Sequence, residues 1–353
     1  MIASNIRYRY RDRNTFAARF EVLHDGGVVG ELYPYDAPEV QCVSTSALKM
    51  SMKGVFLRPT FAVDWLHDKI RAIIQLNGVD YNAGIYLPIT PILQKNDGVE
   101  LVEIEGYSLL YLAQRTKTEG IYHIDAGTNY IAAINALLLG AGLTNYGGDE
   151  TTAVMATARE DWDEGTPYIE IINQLLSEIG YNSAWVDLQG KVWLTKYVDP
   201  GQDDVDHTYR ADGESIITAD YSYSDDTFDK ANVFKLYCQN PEFPEPLSAT
   251  AVNDDPASPF STVSLGARVL YVESVDNVPD QATLQAKADE MMRKSKYRTE
   301  TVEFTTAIAP GHKTFDTLAI DNGEITGLYR ETEWRMELTA GGYMTHKAER
   351  VSI

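Results

Sequence analysis

Along the first third of the chain, apolar and polar residues alternate with the period of a β-strand. Between Phe16 and about Tyr107 the alternating segments are short, and turn residues interrupt them about every eight to twelve positions. The clearest segment sets Leu48, Met50 and Met52 against polar neighbours. The pattern predicts an antiparallel β domain in this part of the chain.

A tight hairpin is predicted within this region. Residues 70–76 and 79–81 are strand-like, and Asn77-Gly78 stands between them. Both turn residues tolerate the positive φ angles that a type I′ turn requires. A further strand is predicted over residues 102–107, with one buried face and one solvated face.

Beyond the β region the apolar period changes to about 3.6 residues, and an internal repeat appears. Residues 127–143 read GTNYIAAINALLLGAGL and residues 165–181 read GTPYIEIINQLLSEIGY, with nine of seventeen positions identical at an offset of 38 residues. The repeat predicts two matching amphipathic helices. In the second copy we expect Thr166 to cap the helix, Pro167 to occupy its first position and Gly180 to adopt a left-handed conformation after its end.

The two helices are expected to belong to an α/β module of about residues 119–199. A hairpin follows the second helix, with Trp185 and Trp193 on the flanks of a turn at residues 188–190. The buried stripe of the second helix is predicted to consist of Tyr168, Ile172, Leu175, Leu176 and Ile179.

The rest of the chain returns to β structure. We expect an exposed acidic connection with short strands at residues 199–229 and an extended loop at residues 240–260, where five prolines interrupt any strand ladder. A capped helix is predicted from Asp280 to about Lys296. Strands are predicted at residues 268–272, 301–307, 317–320, 328–338 and 343–352.

These patterns predict an α+β fold that is mainly β. The first β domain spans residues 1–115, and the α/β module with the two repeated helices spans residues 116–200. The acidic connection and a second β domain with one helix span residues 201–353.

Charge narrows the classes of partner. The chain has 30 basic and 52 acidic residues, which gives a formal net charge of -22. Such a surface repels phosphates and anionic lipids, so sequence-specific binding of nucleic acid and binding to membrane surfaces are disfavoured. The local exception is a basic stretch whose side chains would share one face of a strand and meet an acidic protein partner or solvent: Arg7, Arg9, Arg11 and Arg13.

The two cysteines, Cys42 and Cys238, do not require a disulfide framework in a chain of 353 residues. We therefore expect synthesis in a reducing cytosol. The basic start is not followed by the apolar run of a signal peptide, and no window approaches the ~20 apolar residues that span a bilayer. Neither export by a signal peptide nor membrane insertion is expected.

Sharp catalytic signals are absent from the sequence. It contains no metalloprotease, nucleophile-elbow, P-loop or paired-cysteine motif. Ser46 to Lys49 spells the S-x-x-K string of acyl-transfer enzymes, but it lies in a predicted strand and lacks a partner motif. We predict no catalytic, cofactor-binding or metal-binding residue. The histidines are scattered, and each is expected to be an ordinary core or surface residue: His24, His67, His123, His207, His312 and His346.

Two groups of acidic residues are candidate sites. Calcium takes six to eight oxygens, but the order typical of a calcium loop is missing from the first group, so a solvated loop is favoured. The second group suggests a glycosidase pair, yet Glu103 and Glu105 share a strand face and would lie too close together, so a solvated strand face is favoured. The first group is Asp203, Asp204, Asp206, Asp212 and Glu214; the second is Glu100, Glu103 and Glu105.

Several segments resemble the phage tail hub, or baseplate hub, family. Residues 46–56, 64–71, 74–81 and 84–87 resemble the first β domain of those proteins, and residues 103–110 resemble the strand that leads out of it. More specific is the likeness of residues 161–166, the helix after them and residues 181–200 to the central module of the family. The last helix, residues 316–318 and the strand around Trp334 resemble the second β domain.

The resemblance implies two tail-tube-like β-barrels in each chain and a ring of three chains, so that six barrels continue a six-fold tube. The implied role is structural, without enzyme activity or cofactor: a hub that joins the tail tube to the baseplate, tip or spike and leaves a channel for DNA or effectors. The implied partners are two further copies, the tail tube or distal tail protein, a central spike or tip protein and other baseplate proteins. The implied location is a virion tail or phage-tail-like particle, assembled in the host cytoplasm.

Composition agrees with this picture in two respects. The 22 tyrosines suit protein interfaces, and an acidic chain would give a negative lumen along which DNA slides without sticking. Residues 240–260 have no counterpart in the resemblance and are expected to form a contact arm. A receptor- or carbohydrate-binding tail module and a tail-associated cell-wall hydrolase stay open as alternatives.

Overall fold

The computed structural model describes residues 14–198, 201, 204–212, 216–226, 230–238, 245–275, 278, 281–295 and 299–351. The predicted basic face of Arg7, Arg9, Arg11 and Arg13 lies outside the described residues. The chain divides into two compact units, which we call unit 1 (Met1–Ser222 and Val302–Val351) and unit 2 (Tyr223–Thr301 and Ser352–Ile353). None of the helices within the described ranges is long and apolar enough to cross a membrane.

Eight strands form the N-terminal β part of unit 1 in the described residues. They are β1 Phe16–His24, β2 Gly27–Leu32, β3 Glu39–Val43, β4 Met50–Leu57, β5 Lys69–Leu76, β6 Val79–Pro88, β7 Ile92–Asn96 and β8 Val99–Ser108.

Six of these strands close into a barrel in the order β1, β2, β4, β8, β6, β5 and back to β1. The closure lies where the chain beyond β2 meets β4. There the Tyr35 amide donates to the Val55 carbonyl at 2.8 Å, and the Leu57 amide donates to the Tyr33 carbonyl at 2.9 Å. We call this closed sheet the first barrel.

The inward residues of these strands are apolar, as their alternation predicts. Phe20, Phe56 and Tyr86 are fully buried, and the rings of Phe20 and Phe56 meet edge to face with centroids 5.0 Å apart. The predicted hairpin is confirmed, since Asn77 and Gly78 join β5 to β6 with φ angles of 52° and 81°.

One strand boundary in this barrel was predicted wrongly. The sequence pattern begins a strand at Leu48, but Lys49 has a φ of 56°, which an extended strand does not allow, so β4 begins at Met50. The string from Ser46 to Lys49 therefore lies in the turn between β3 and β4 and not in a strand.

The α/β module follows in unit 1 and contains the repeat. Its elements are α1 Tyr111–Arg115, β9 Tyr122–Ile124, α2 Tyr130–Gly140, β10 Tyr146–Gly148, β11 Arg159–Trp162, α3 Tyr168–Glu178, β12 Trp185–Val186 and β13 Val192–Leu194. The two predicted helices are confirmed as α2 and α3, which pack together in one core. The strands around the helices also pair with each other: β9 and β11, which precede α2 and α3, form one pair, and β10 and β13, which follow these helices, form another.

The details of the module correct two predictions. Pro167 was expected at the first helical position, but α3 begins one residue later, at Tyr168. Thr166 does not cap α3, because its hydroxyl donates to the Asp163 carbonyl at 2.8 Å, and the residue at the cap position is Pro167 without a side-chain bond. Gly180 has the predicted left-handed conformation, with a φ of 71°. Trp185 and Trp193 are paired across the predicted hairpin, with stacked rings 6.1 Å apart.

The C-terminal part of the chain contributes to both units. Its elements are β14 His207–Arg210, β15 Ile217–Asp226, β16 Val233–Cys238, β17 Leu247–Val252, α4 Thr262–Leu265, β18 Leu270–Ser274, α5 Gln281–Ser295, β19 Thr299–Ala307, β20 Thr317–Asp321, β21 Thr326–Glu337 and β22 Tyr343–Arg350.

A second β structure of unit 1 has a core of its own. Its strands run in the order β14, β20, β21, β22, β19, β15. Every one of them supplies a residue to the core, which includes Tyr209, Phe304, Leu318, Tyr329 and Ala348, with Ile217 packed against it. We call this six-stranded structure the second barrel, after the sequence prediction; among the described residues no pairing of β14 with β15 closes it.

The two barrels belong to one continuous sheet of 14 strands. They meet where β21 pairs antiparallel with β3, so that Trp334 lies opposite Cys42. Trp334, Met336 and Leu338 are buried in the core of the first barrel. The end of β21 thus fills the first barrel, whereas its beginning fills the second.

Unit 2 is a small sheet with a helix packed on it. Strand β16 lies between β17, which is antiparallel to it, and β18, which is parallel to it. Helix α5 packs against β16 and β17 through Leu284 and Ala288, which confirms the predicted helix. Residues 240–260 were predicted as an extended loop, but β17 lies within them, because Ala249 and Ala251 are buried on the sheet face under α5. Cys238 is buried in this unit, and Cys42 in unit 1; both are free thiols.

The strand shared by the barrels makes a stability prediction. Trp334 is 2% exposed, and its Nε1 donates to the Lys313 carbonyl at 3.2 Å. We expect Trp334→Ala to lower the free energy of unfolding by about 3–5 kcal/mol, because it leaves a large cavity and an unpaired carbonyl. Urea unfolding followed by circular dichroism measures the change. The control is Tyr343→Ala on the neighbouring strand, where the side chain is 56% exposed and a change within about 0.5 kcal/mol is expected; equal effects of the two substitutions would contradict the shared-strand account.

Candidate functional site

The second barrel contains a buried polar cluster. Its central carboxylate is Glu331 on β21, between His312, which lies in the β19–β20 loop, and His346 on β22. All three side chains are essentially inaccessible to solvent. A cluster of this kind is the most unusual feature of the described residues, because buried ionisable groups are rare unless they are paired.

A β-bulge explains why a glutamate faces the interior. The register between β21 and β22 shifts between Glu331 and Glu333. The bulge reverses the alternation, so Glu331 faces the interior of the second barrel, and Trp334 faces the interior of the first barrel. Without the extra residue, one of these two side chains would point to the opposite face of the sheet.

The cluster is a continuous chain of hydrogen bonds, and its last member fixes its direction. Thr306 has a single hydroxyl hydrogen, and it donates to the Ala307 carbonyl at 2.8 Å. The ring nitrogen Nε2 of His346, 2.9 Å from that hydroxyl, must therefore donate to it. Nδ1 of the same neutral ring then carries no hydrogen. It accepts a hydrogen bond from Oε1 of Glu331, which lies 2.6 Å away.

The remaining members follow the same direction. A protonated Glu331 donates from Oε1 to His346, and its Oε2 accepts from Nδ1 of His312 at 2.7 Å. Nε2 of His312 then accepts from the Tyr209 hydroxyl at 2.7 Å. In this arrangement every member of the chain is neutral, and no unpaired charge is buried.

The electrostatics agree with these proton positions. Burial raises the pKa of Glu331 to about 7, so the carboxyl keeps its proton more readily than in water. Burial lowers the pKa of His346 to about 4, against the opposing effect of the Glu331 hydrogen bond. Burial also holds the pKa of His312 well below its ordinary value of 6.5. Each shift favours the uncharged form.

A second pair adjoins the chain. The ring of His207 on β14 stacks on that of His312, with centroids 3.6 Å apart and planes within 6°. Nε2 of His207 lies 3.0 Å from Oδ2 of Asp316. Although burial alone would raise the pKa of Asp316, its bond with His207 lowers it below the ordinary value. This carboxylate is the charged member of the region.

The cluster has the residue types of a metal site but not its geometry. His207, His312 and Asp316 lie close together, as do His312, Glu331 and His346. In the second group the nitrogen–oxygen distances of 2.6 and 2.7 Å are hydrogen-bond lengths, shorter than the ~3.3 Å between two ligands of a tetrahedral zinc ion with bonds of 2.0–2.1 Å. In the first group the stacked rings are parallel, so an ion between them would lie far from the plane of each ring. The geometry favours a hydrogen-bonded core.

A groove lies on the outer face of the same barrel. It has a volume of about 500 Å³ and crosses β15, β19, β22 and β21, and His346 forms part of its lining. The outward side chains in it are mostly acidic: Asp220, Glu303 and Glu333 against Lys347. We call it the acidic groove.

Comparison with known proteins bears on the fold. No protein-family profile and no curated protein matches the sequence. Among solved structures, the tail protein from Neisseria meningitidis MC58 superposes with a TM-score of 0.66 and 12% identity over 95% of this chain and 97% of that one. The 43 kDa tail protein of prophage MuSo2 from Shewanella oneidensis gives 0.65 and 8% over 95% and 98%.

A third match comes from a secretion machine. An E. coli protein described as a component of the type VI secretion system, with structural similarity to the T4 phage tail proteins gp27 and gp5, gives a TM-score of 0.53 and 9% identity over 94% of this chain and 77% of that one. The chain has the fold of phage tail proteins. The resemblance seen in the sequence is therefore confirmed at the level of the fold, including its mainly β, α+β class.

Within this tail-protein fold, Lys49 of the S-x-x-K string has a different role from a catalytic base for Ser46. Its Nζ donates to the carbonyls of Ser44 and Ser46 at 2.9 and 3.2 Å and to the Ser183 hydroxyl at 2.7 Å, and it lies 5.4 Å from the centre of the Phe315 ring. Burial lowers the pKa of Lys49 to about 8. The lysine thus connects the β3–β4 turn, the α/β module and the loop before β20.

The predicted acidic loop is only partly described. Asp203 and Glu214 lie outside the described residues. Oδ2 of Asp204 accepts from the Gly201 amide, and Oδ2 of Asp206 accepts from the Thr317 amide, each at 2.9 Å. The carboxylate of Asp206 therefore stabilises the start of β20.

The three glutamates of β8 lie where the solvated-face interpretation places them. Glu100 pairs with Arg58 at 2.9 Å, Glu103 accepts from Gln94 at 2.9 Å, and Glu105 accepts from the Tyr107 hydroxyl at 2.6 Å.

Sequence reasoning missed the histidine cluster, because its members are separated by 105 and 34 positions. One signal was available. In β22, His346 alternates with Met344 and Ala348, which are both buried, so its position predicts an inward side chain. Glu331 carried no such signal, because the bulge after it disrupts the alternation.

The neutral chain makes a prediction about acid stability. In the folded protein the pKa of His312 is well below 6.5, whereas in the unfolded chain it is ordinary, so stability from His312 is complete above pH 6.5 and is lost as the pH falls. The expected loss is about 1.4 kcal/mol per pH unit. Between pH 4.5 and 6.5 the contributions of Glu331 and His346 cancel, because the folded pair holds one proton on Glu331 and the unfolded pair holds one on His346.

Urea unfolding between pH 4.5 and 6.5 tests this prediction by comparing the wild type with His312→Gln. The slope of stability against pH is expected to be smaller in the variant by about 1.4 kcal/mol per pH unit. The control His123→Gln removes an exposed histidine whose pKa is raised by hydrogen bonds to Asp125 and Glu160, so it should not reduce the slope. Equal slopes for the wild type and His312→Gln would contradict the neutral chain.

Proposed function

We propose that this chain is a structural hub of a phage tail or of a phage-tail-like injection device. Three copies form a ring, and the two barrels of each copy alternate around its axis to give six barrels. The ring joins the tail tube to the baseplate, tip or spike and leaves a channel for DNA or effector passage. The observation that carries the proposal is the pair of barrels joined in one sheet within a tail-protein fold.

The union of the barrels supports a ring. A hub that continues a tube must hold its two barrels at a fixed spacing, because a flexible link would let the channel collapse. Here β21 runs through both barrels and pairs with β3 over residues 333–337. Lys49 joins the β3–β4 turn to the α/β module through its hydrogen bonds, and its Nζ lies 5.4 Å from the centre of the Phe315 ring in the loop before β20.

We propose that each of the three predicted domains has its own role in the hub. Residues 1–115 and 201–353 supply the first and second tube-like domains, and residues 116–200 supply the module between them. The predicted partners are the tail tube or distal tail protein, a central spike or tip protein and other baseplate proteins. The proposed location is the virion tail, after assembly in the host cytoplasm.

Surface composition supports association with protein and not with phosphate. Exposed aromatic and aliphatic side chains on the first barrel offer apolar contact area: Tyr33, Tyr35, Leu57, Ile92 and Leu93. The net charge of -22 disfavours adhesion of DNA to the channel wall. We propose that the protein is not an enzyme, in agreement with the hydrogen bonds of Lys49, whose Nζ reaches the Ser46 carbonyl and not its hydroxyl.

Mass and shape together test this function. Mass photometry of the purified chain is expected to give a particle of three times the 39.4 kDa chain mass, and negative-stain class averages are expected to show a ring with a central hole. A chain that stays monomeric at micromolar concentration, or a trimer without a hole, would contradict the hub. Binding of the monomer to host glycans would favour a receptor-binding module instead.

A further inference from the structure

We infer that the acidic groove of the second barrel receives the arginine-rich N-terminal segment, residues 7–13, of a neighbouring copy of this chain. The inference rests on the proposed ring, and it identifies one contact that would hold neighbouring copies together. The occupant is a basic segment, and the receptor is an outward sheet face.

The groove offers a sheet face with unused negative charge. Glu303 pairs with Lys347 at 3.4 Å. Asp220 and Glu333 have no cationic partner within the described residues. All three carboxylates line a groove that crosses four neighbouring strands, a width of roughly 14 Å at the usual strand spacing.

The segment supplies the complementary charge. Residues 7–13 read RYRYRDR, so four of the 30 basic residues of an acidic chain stand at alternate positions. In an extended segment, alternate side chains share a face and lie about 6.7 Å apart. Two or three of these arginines therefore match the width of the groove.

The place where the segment leaves the described structure favours a neighbour. The Thr15 amide donates to Oδ1 of Asn77 at 3.0 Å, and Nδ2 of Asn77 donates to Oδ1 of Asn14 at 2.9 Å. The segment thus starts at the β5–β6 turn, on the rim of the first barrel. In the proposed ring, where first and second barrels alternate, the first barrel of one copy lies beside the second barrel of the next.

Charge explains why such a contact would be needed. Copies with a net charge of -22 each repel one another. A basic segment that reaches into an acidic groove reverses this repulsion at one place and selects the neighbour by charge. Contact through exposed ion pairs should weaken as salt is added.

Cysteine cross-linking between full-length chains tests the inference. One chain carries Arg9→Cys and the other carries Thr345→Cys, an exposed groove position. The two native cysteines are buried. After mixing, assembly and mild oxidation, a two-chain product is expected on a non-reducing gel. Adding Asp220→Lys and Glu333→Lys to the groove chain should reduce it about tenfold, because like charges then face each other.

Two matched controls accompany this experiment. Thr60→Cys, exposed on another loop, replaces Thr345→Cys and should give no product above background. Glu119→Lys with Glu164→Lys, both exposed on the α/β module, changes the net charge equally and should leave the product unchanged.

The outcomes separate the inference from the proposed function. A ring of the expected mass without the groove-specific product overturns the inference and leaves the hub intact. A closed monomer from a chain that carries both Arg9→Cys and Thr345→Cys, with no product between chains, means that the segment occupies its own groove and also overturns the inference. A chain that stays monomeric by mass overturns the hub and the inference with it.

Discussion

The pairing of β21 with β3 is the constraint on which the rest of unit 1 depends. Strand β21 has 12 residues, enough to cross the interior of both barrels. The bulge between Glu331 and Glu333 reverses which side chains of the second half face inward. The first half of β21 therefore contributes Tyr329 to the core of the second barrel, and the second half contributes Trp334 and Met336 to the core of the first barrel. A sheet edge in one barrel is thereby covered by the other, which removes an exposed edge that would invite aggregation.

The same bulge accounts for the polar interior of the second barrel. It aims Glu331 inward, and a buried carboxyl is tolerated only when its charge is removed or balanced. The directional chain from Tyr209 through two histidines to Thr306 keeps the carboxyl protonated and every donor used. The hydrogen bonds of the cluster therefore fix the register of β19, β21 and β22 relative to one another. A fully satisfied network of this kind rigidifies a core, and a rigid barrel agrees with the proposed place of this chain in a tube.

Local sequence signals predicted much of the fold. The Asn77-Gly78 turn, the repeated helices, the left-handed Gly180 and α5 each depend on residues that are close in sequence. Interactions between distant residues were not predictable in this way: the bond between the Thr166 hydroxyl and the Asp163 carbonyl replaced the expected cap, and pairing with β16 placed a strand in a proline-rich segment. The histidine cluster has members from three separate parts of the chain, and only the position of His346 within an alternating strand pointed to it.

The central claim is that two barrels, fixed to each other by one shared strand, serve as adjacent parts of a six-barrel ring. Cryo-electron microscopy of the assembled tail particle tests it most directly. The account predicts three copies of the chain around the tail axis, with first and second barrels alternating around an open channel and the β3–β21 pairing intact in each copy. A map in which the chain lies away from the axis, or in which the two barrels of one copy are separated, would contradict it.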